Sequence, residues 1–182
     1  MLERSHSRWY VRHAGKLILL SVLVGGGAAF FASSSHERYV GYRGSGSTSF
    51  DETDHHLWDQ LLREHVNVDG LVDYAKWQQS ETARERLQLY LHGLSKADLN
   101  RKHSRKAKLA FWINAYNALT IYGILQQYPT TSIRNHTATV IGYNIWRDLY
   151  LFVDGKPFSL EEIEHQILRK IDEPRIHFAI VC

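Results

Sequence analysis

KLAFWINAYNALTIYGILQQYP, Lys108 to Pro129, carries no charge after its first residue. Its apolar side chains recur at helical spacing around almost the whole circumference. That pattern predicts a helix buried in the centre of a domain rather than one lying on its surface. Pro129 stops it. Asn, Tyr and Thr interrupt the run too often for it to be a membrane span. A long helix of this kind needs neighbours on all sides, and the flanking sequence supplies them.

Upstream, DHHLWDQLLREHV places Leu57/Trp58, Leu61/Leu62 and Val66 on one helical stripe, with Asp54 positioned to cap it. NVDGLVDYAKW turns at Asp69-Gly70. ERLQLYLHGL, Glu85 to Leu94, forms a second amphipathic helix through Leu87, Tyr90/Leu91 and Leu94. RKHSRKAK packs five basic residues into eight positions, the usual composition of a solvated helix start. Downstream, TVIGYNIWRDLYLFVDGKPF reads as short extended runs with an Asp154-Gly155 turn, a hairpin signal. In SLEEIEHQILRK, Ser159 and Glu162 have capping-box spacing, and that helix ends before Asp172-Glu173-Pro174. RIHFAIVC is apolar enough to be an inner strand. The fold class expected is α+β: a helix-rich N-terminal half with a long buried central helix, then a small sheet made of the hairpin and the terminal strand.

The N-terminus is organised differently. The formal charge is +3 and the sequence pI about 9.0, which invites a nucleic-acid reading. Arg4, Arg8, Arg12 and Lys16 against Glu3 account for that whole excess. The basic balance therefore belongs to a leader, and nucleic acid is not an expected partner. The leader continues as LILLSVLVGGGAAFFA, Leu17 to Ala32, uncharged and followed by SSSHER. A basic flank, an apolar run and a small polar exit make residues 1–35 a signal peptide or an N-terminal membrane-anchor helix. The rest of the chain is expected to be exported, in the periplasm or on the periplasmic face of the inner membrane. Residues 36–53, rich in Gly and Ser, read as a flexible linker, and folded sequence is expected over residues 54–182.

Several polar residues sit where packing alone would not put them. Asn114 and Asn117 share a face of the central helix, and burying an unpaired amide costs on the order of 1–3 kcal/mol. Either they tie the helix to a neighbouring loop or strand, or one amide orients an imidazole or donates to a substrate. In EEIEH, Glu161 and Glu162 lie four and three residues before His165. A carboxylate and an imidazole can therefore meet on one face. Such a pair can supply metal ligands, but the further carboxylates those sites use have no counterpart here, so no metal or cofactor is expected; capping and a solvated face are the simpler reading. On a regular strand His177 and Cys182 point to opposite faces. The lone thiol, if activated, would then draw its base from His165 on the preceding helix.

WDQLLREHV, GLVDYAKW, LAFWINAYNALTIYGILQQYP, the Asp-Gly hairpin, FSLEEIEHQILRK and DEPRIHFAIVC together resemble the family called domain of unknown function 547, in its order, from about His55 to the end. The resemblance places the family's distinctive polar residues at Asn114, Tyr116, Asn117, Glu164, His165, His177 and Cys182. It implies no secure activity. It also implies that the final strand would continue past Cys182 to a second cysteine, which makes this chain a C-terminally truncated member. Two functions are compatible with these residues. One is a cell-envelope module binding an unknown small molecule or envelope protein around Trp146 and Tyr150. The other is a thiol-dependent hydrolase or transferase in which Cys182 attacks, His165 or His177 is the base, and Asn114 or Asn117 orients the imidazole, with Glu164 nearby.

Overall fold

The computed structural model describes residues 36–138 and 142–180. The leader and Cys182 lie outside the described residues. The central helix, α4 (Arg105–Leu125), has no acidic or basic residue beyond Lys108 and buries Phe111, Trp112, Ala115, Tyr116, Ala118, Leu119, Thr120 and Ile121 in succession. Along this middle stretch only a narrow face, Ala110, Ile113, Asn114 and Asn117, keeps some exposure, so the helix is buried around most of its circumference, as the sequence predicts. Its start is set by Ser104, whose side chain accepts from Ala107 N at 3.1 Å.

Three shorter helices precede it: α1 (His56–His65), α2 (Tyr74–Gln79) and α3 (Glu81–Leu94). Asp54 Oδ1 accepts from His56 N at 2.8 Å. The N-cap position is the next residue, His55, which has no side-chain cap bond, so Asp54 supports the entry to α1 without being its N-cap. The helices meet through Trp58, Leu61, Trp77, Leu87, Leu91 and Leu94, all buried. Trp58 stacks on Tyr90 at 5.5 Å and 5°, and Trp77 donates from its ring nitrogen to Ala83 O at 3.3 Å. Among the described residues no helix is long and apolar enough to cross a membrane.

Downstream come a helical turn, α5 (Ile145–Asp148), and strands β2 (Leu149–Val153) and β3 (Lys156–Ser159). β2 and β3 pair antiparallel across Asp154 and Gly155, with φ of +53° and +71°. Two positive φ values in a two-residue loop define the turn whose twist matches a hairpin. Leu149, Leu151 and Val153 point inward and are fully buried. One position of α4 governs how close this unit can come. A Cβ added to Gly123 would lie 2.6 Å from Ile145 Cδ1 and 2.7 Å from Leu149 Cδ2.

Two expectations need correction. The third strand is not terminal: it is β1 (Arg38–Val40), parallel to β2 with Tyr39 opposite Tyr150. It lies in the stretch read as a flexible linker. That stretch is held along its length, with Ser95 Oγ accepting from Tyr42 N at 2.7 Å and Asp154 Oδ1 from Gly46 N at 2.7 Å. Phe50 then buries itself against Phe111, 4.4 Å between ring centres. Gly and Ser lower the local preference for order, but three anchors contributed by distant residues outweigh it. The final segment is a helical turn, α7 (Ile176–Ala179), instead of a strand. Ile176 and Ile180 are buried while His177 and Phe178 are exposed, which is spacing of four rather than alternation. β2 already has β1 on one edge and β3 on the other, so an inner strand has no place beside it.

His65 is buried at the end of α1, stacked on Trp77 at 4.6 Å and 20°, and its Nδ1 has no hydrogen-bond partner among the described residues. Burial, and then the Lys76 charge, push this imidazole below its usual range. His55, which meets Tyr90 Oη at 2.6 Å, is pushed the same way, chiefly by burial. In both, the folded state favours the neutral ring. Their stabilising effect is therefore complete above the unfolded value of about 6.5 and is lost as pH falls through the folded values. The thermal midpoint is expected to drop between about pH 7 and pH 5, and His65→Phe should flatten that slope. A midpoint that stays constant or rises on acidification would contradict the assignment.

Candidate ligand cavity

The site is assembled on α4, on α5 and on the segment after the hairpin. From α4 comes Tyr116, fully buried. α5 is fixed by reciprocal bonds: Asn144 Oδ1 accepts from Trp146 N at 3.0 Å, while Asp148 Oδ2 accepts from Asn144 N at 2.7 Å. Asn144 Nδ2 and Arg147 Nη2 both donate to Ala138 O, at 3.1 and 3.2 Å. A four-residue turn has no helical stability of its own; these side chains hold it. Trp146 is thereby set over Tyr116 with near-parallel rings, 6.5 Å apart at 22°.

After β3, Ser159 and Glu162 form the expected capping box at the start of α6 (Leu160–Glu162). Ser159 Oγ accepts from Glu162 N at 3.2 Å and Glu162 Oε2 accepts from Ser159 N at 2.8 Å. The chain continues as a π-helical segment, Ile163–Ile167, and then a 3-10 turn, Leu168–Ile171, closed by Asp172 at φ +53°. Wide π turns inside helices recur at functional sites because they change which side chains face inward. Here Ile163 and Leu168 go to the core, while Glu164 and His165 face a cavity of about 430 Å³. Tyr116, Asn144, Trp146, Arg147 and Glu161 complete its wall. Glu164 is held at both oxygens. Tyr116 Oη donates to Oε2 at 3.3 Å and Arg169 Nη2 to Oε1 at 2.6 Å, so its charge is matched within the protein.

Of the residues expected to carry chemistry, the structure brings Glu164 and His165 together with Tyr116 in this cavity. Glu161 joins His165 on its wall, whereas Glu162 is committed to the cap. Asn117 ties helix to turn: its Nδ2 donates to Ala179 O at 2.8 Å. Asn114 is half-buried on α4 and His177 is exposed on α7; neither is part of the cavity lining. Tyr150 faces the other side of the sheet, stacked on Tyr39 at 5.1 Å, away from the wall formed by Trp146. No group of three or more His, Cys, Asp or Glu able to hold a metal occurs among the described residues. The sequence reading passed over Asn144, Arg147 and Arg169. The first had a usable signal: an Asn before an apolar residue, four ahead of an Asp, is a capping pattern, obscured by the β-favouring Tyr, Ile and Trp around it.

The family model described as "Protein of unknown function, DUF547" matches residues 100–182. The match covers just under half of the chain, and over that span the sequence is similar to the family. The matched span starts just before α4 and contains every residue of the cavity wall; α1 to α3 precede it. Comparison with curated proteins returned no match, and neither did comparison with solved structures.

Within the matched segment, the bond from Asn117 to Ala179 links the central helix to the terminal turn. Asn117→Ala is expected to cost about 1–2 kcal/mol in urea unfolding and to speed amide exchange at Phe178 and Ile180. Unchanged stability and exchange would mean that α7 is held by its buried isoleucines alone.

Proposed function

We propose that this protein is a ligand-binding module of the cell envelope, exported or held at the membrane by residues 17–32, and that it binds a small molecule in the Trp146 cavity. The observation that carries the reading is the contrast between the cavity's supports and its lining. Asn144 uses both ends of its amide to hold α5, and Glu164 is matched by Tyr116 and Arg169. The side chains of Glu161 and His165, by contrast, make no hydrogen bond among the described residues, and both residues are exposed on the cavity wall. A volume of about 430 Å³, an aromatic wall and a few convergent polar groups on a rigid support are the usual features of a small-molecule site. The envelope location rests on the basic flank and apolar run of the leader.

The alternative is a thiol-dependent hydrolase or transferase built on Cys182, and the feature that favours it is His165 on the cavity wall. Alkylating Cys182 with iodoacetamide separates the two, since binding that survives alkylation belongs to a module that does not use the thiol.

A thermal-shift screen of metabolites tests the main reading. A ligand at about 100 times its Kd adds about 2.7 kcal/mol to stability, a shift of several degrees in Tm. Trp146→Ala should abolish the shift while leaving the unliganded protein folded, because Trp146 is half-buried on a short turn. Hits whose shifts persist in Trp146→Ala would move the site elsewhere. Fractionation of cells making the full-length chain should place it with the periplasm or inner membrane; recovery in the cytosol would remove the envelope location.

A further inference from the structure

The unmatched charges around the cavity specify a class of ligand. Arg147 donates one bond, to Ala138 O, and makes no ion pair among the described residues. Glu161 likewise has no ion pair and no hydrogen bond there. The two line one cavity with opposite charges and are not paired with each other. Glu164 differs, because Arg169 already neutralises it. The cavity thus offers one guanidinium without an ion pair, one unpaired carboxylate, the His165 imidazole and the face of an indole.

A simple anion would meet Arg147 but be repelled by Glu161, and a simple cation would face the reverse. A neutral apolar ligand would strip water from both charges without replacing it. A molecule carrying one charge of each sign satisfies both. A planar carboxylate suits the fork of an arginine, and an ammonium suits a carboxylate beside an aromatic face. The volume of about 430 Å³ lies toward the small end of ligand pockets.

We propose that the cavity takes a zwitterionic ligand of amino-acid or short-peptide size, its carboxylate on Arg147 and its ammonium against Glu161 and the face of Trp146. This rests on the reading of the cavity as a ligand site.

Calorimetric titration of the full-length chain with dialanine, N-acetyl-dialanine, dialanine amide and phosphoethanolamine tests it. Dialanine should bind, and blocking either end should weaken binding by about tenfold or more, the effect of one charge-assisted contact. Arg147→Gln should make acid and amide bind alike, and Glu161→Gln should do so for free and acetylated amine. Glu161 makes no side-chain bond, so Glu161→Gln should keep the parent Tm; Arg147→Gln also loses the bond to Ala138 O, so its acid-to-amide ratio, not its absolute affinity, is the readout. Phosphoethanolamine binding more tightly than dialanine would point to a lipid headgroup and overturn the carboxylate assignment. Blocked forms binding as well as dialanine would overturn the zwitterion. If dialanine fails while screened compounds still bind through Trp146, the cavity reading stands and this inference falls. If neither binds, both fall.

Discussion

A glycine in the last turn of the central helix sets how near the sheet can approach it. Ile145 and Leu149, both fully buried, occupy the space that a side chain at Gly123 would fill. Glycine inside a helix costs about 1 kcal/mol relative to alanine. Each large aliphatic side chain taken fully out of water contributes about 1.5–3 kcal/mol, so seating two of them outweighs the loss. The consequence reaches the cavity. Ile145 is the first residue of α5 and Leu149 the first of β2, so the turn carrying Trp146 and Arg147 is clamped between two side chains lodged against α4. Tyr116 lies on the same helix, two turns earlier, and the facing of the two rings follows from that seating.

The rest of the wall depends on helix ends more than on packing. Asn144 and Asp148 fix α5, and Ser159 and Glu162 fix the start of α6, each by reciprocal bonds between side chain and backbone. The wide turn at Ile163–Ile167 then lets Ile163 and Leu168 reach the core, five apart, while Glu164 and His165 between them look out. Fixed supports beneath unsatisfied polar groups let a site bind without first paying to order itself.

Features governed by local chemistry were legible in the sequence. The central helix showed in its uncharged apolar run, the hairpin in Asp154-Gly155, and the cap of α6 in Ser159 and Glu162. Features governed by distant partners were not. Nothing local in HERYVGYRG says that Tyr39 will lie opposite Tyr150, and a Gly/Ser-rich stretch resembles a tether until Phe50 is seen against Phe111. RIHFAIVC fits strand and helix equally well by composition; in the structure Ile176 and Ile180 are the buried pair, and a spacing of four is helical. For the cavity, Glu164 and His165 were found because polar residues stood out beside apolar ones, and Trp146 because it is aromatic. Arg147 was missed because a charged residue next to an aspartate looks like ordinary surface until its neighbours are known.

The seating at Gly123 can be tested by the sign of one number. Helix propensity alone makes Gly123→Ala stabilising by up to about 1 kcal/mol. Crowding against two fully buried side chains, whose ends would have to shift, makes it destabilising, by about 1–3 kcal/mol for overpacking of this kind. Urea unfolding of the parent and Gly123→Ala, compared at equal m, measures the difference. A lower midpoint for the alanine variant is the predicted result; a higher one would show that α5 and β2 do not rest on the central helix at this point.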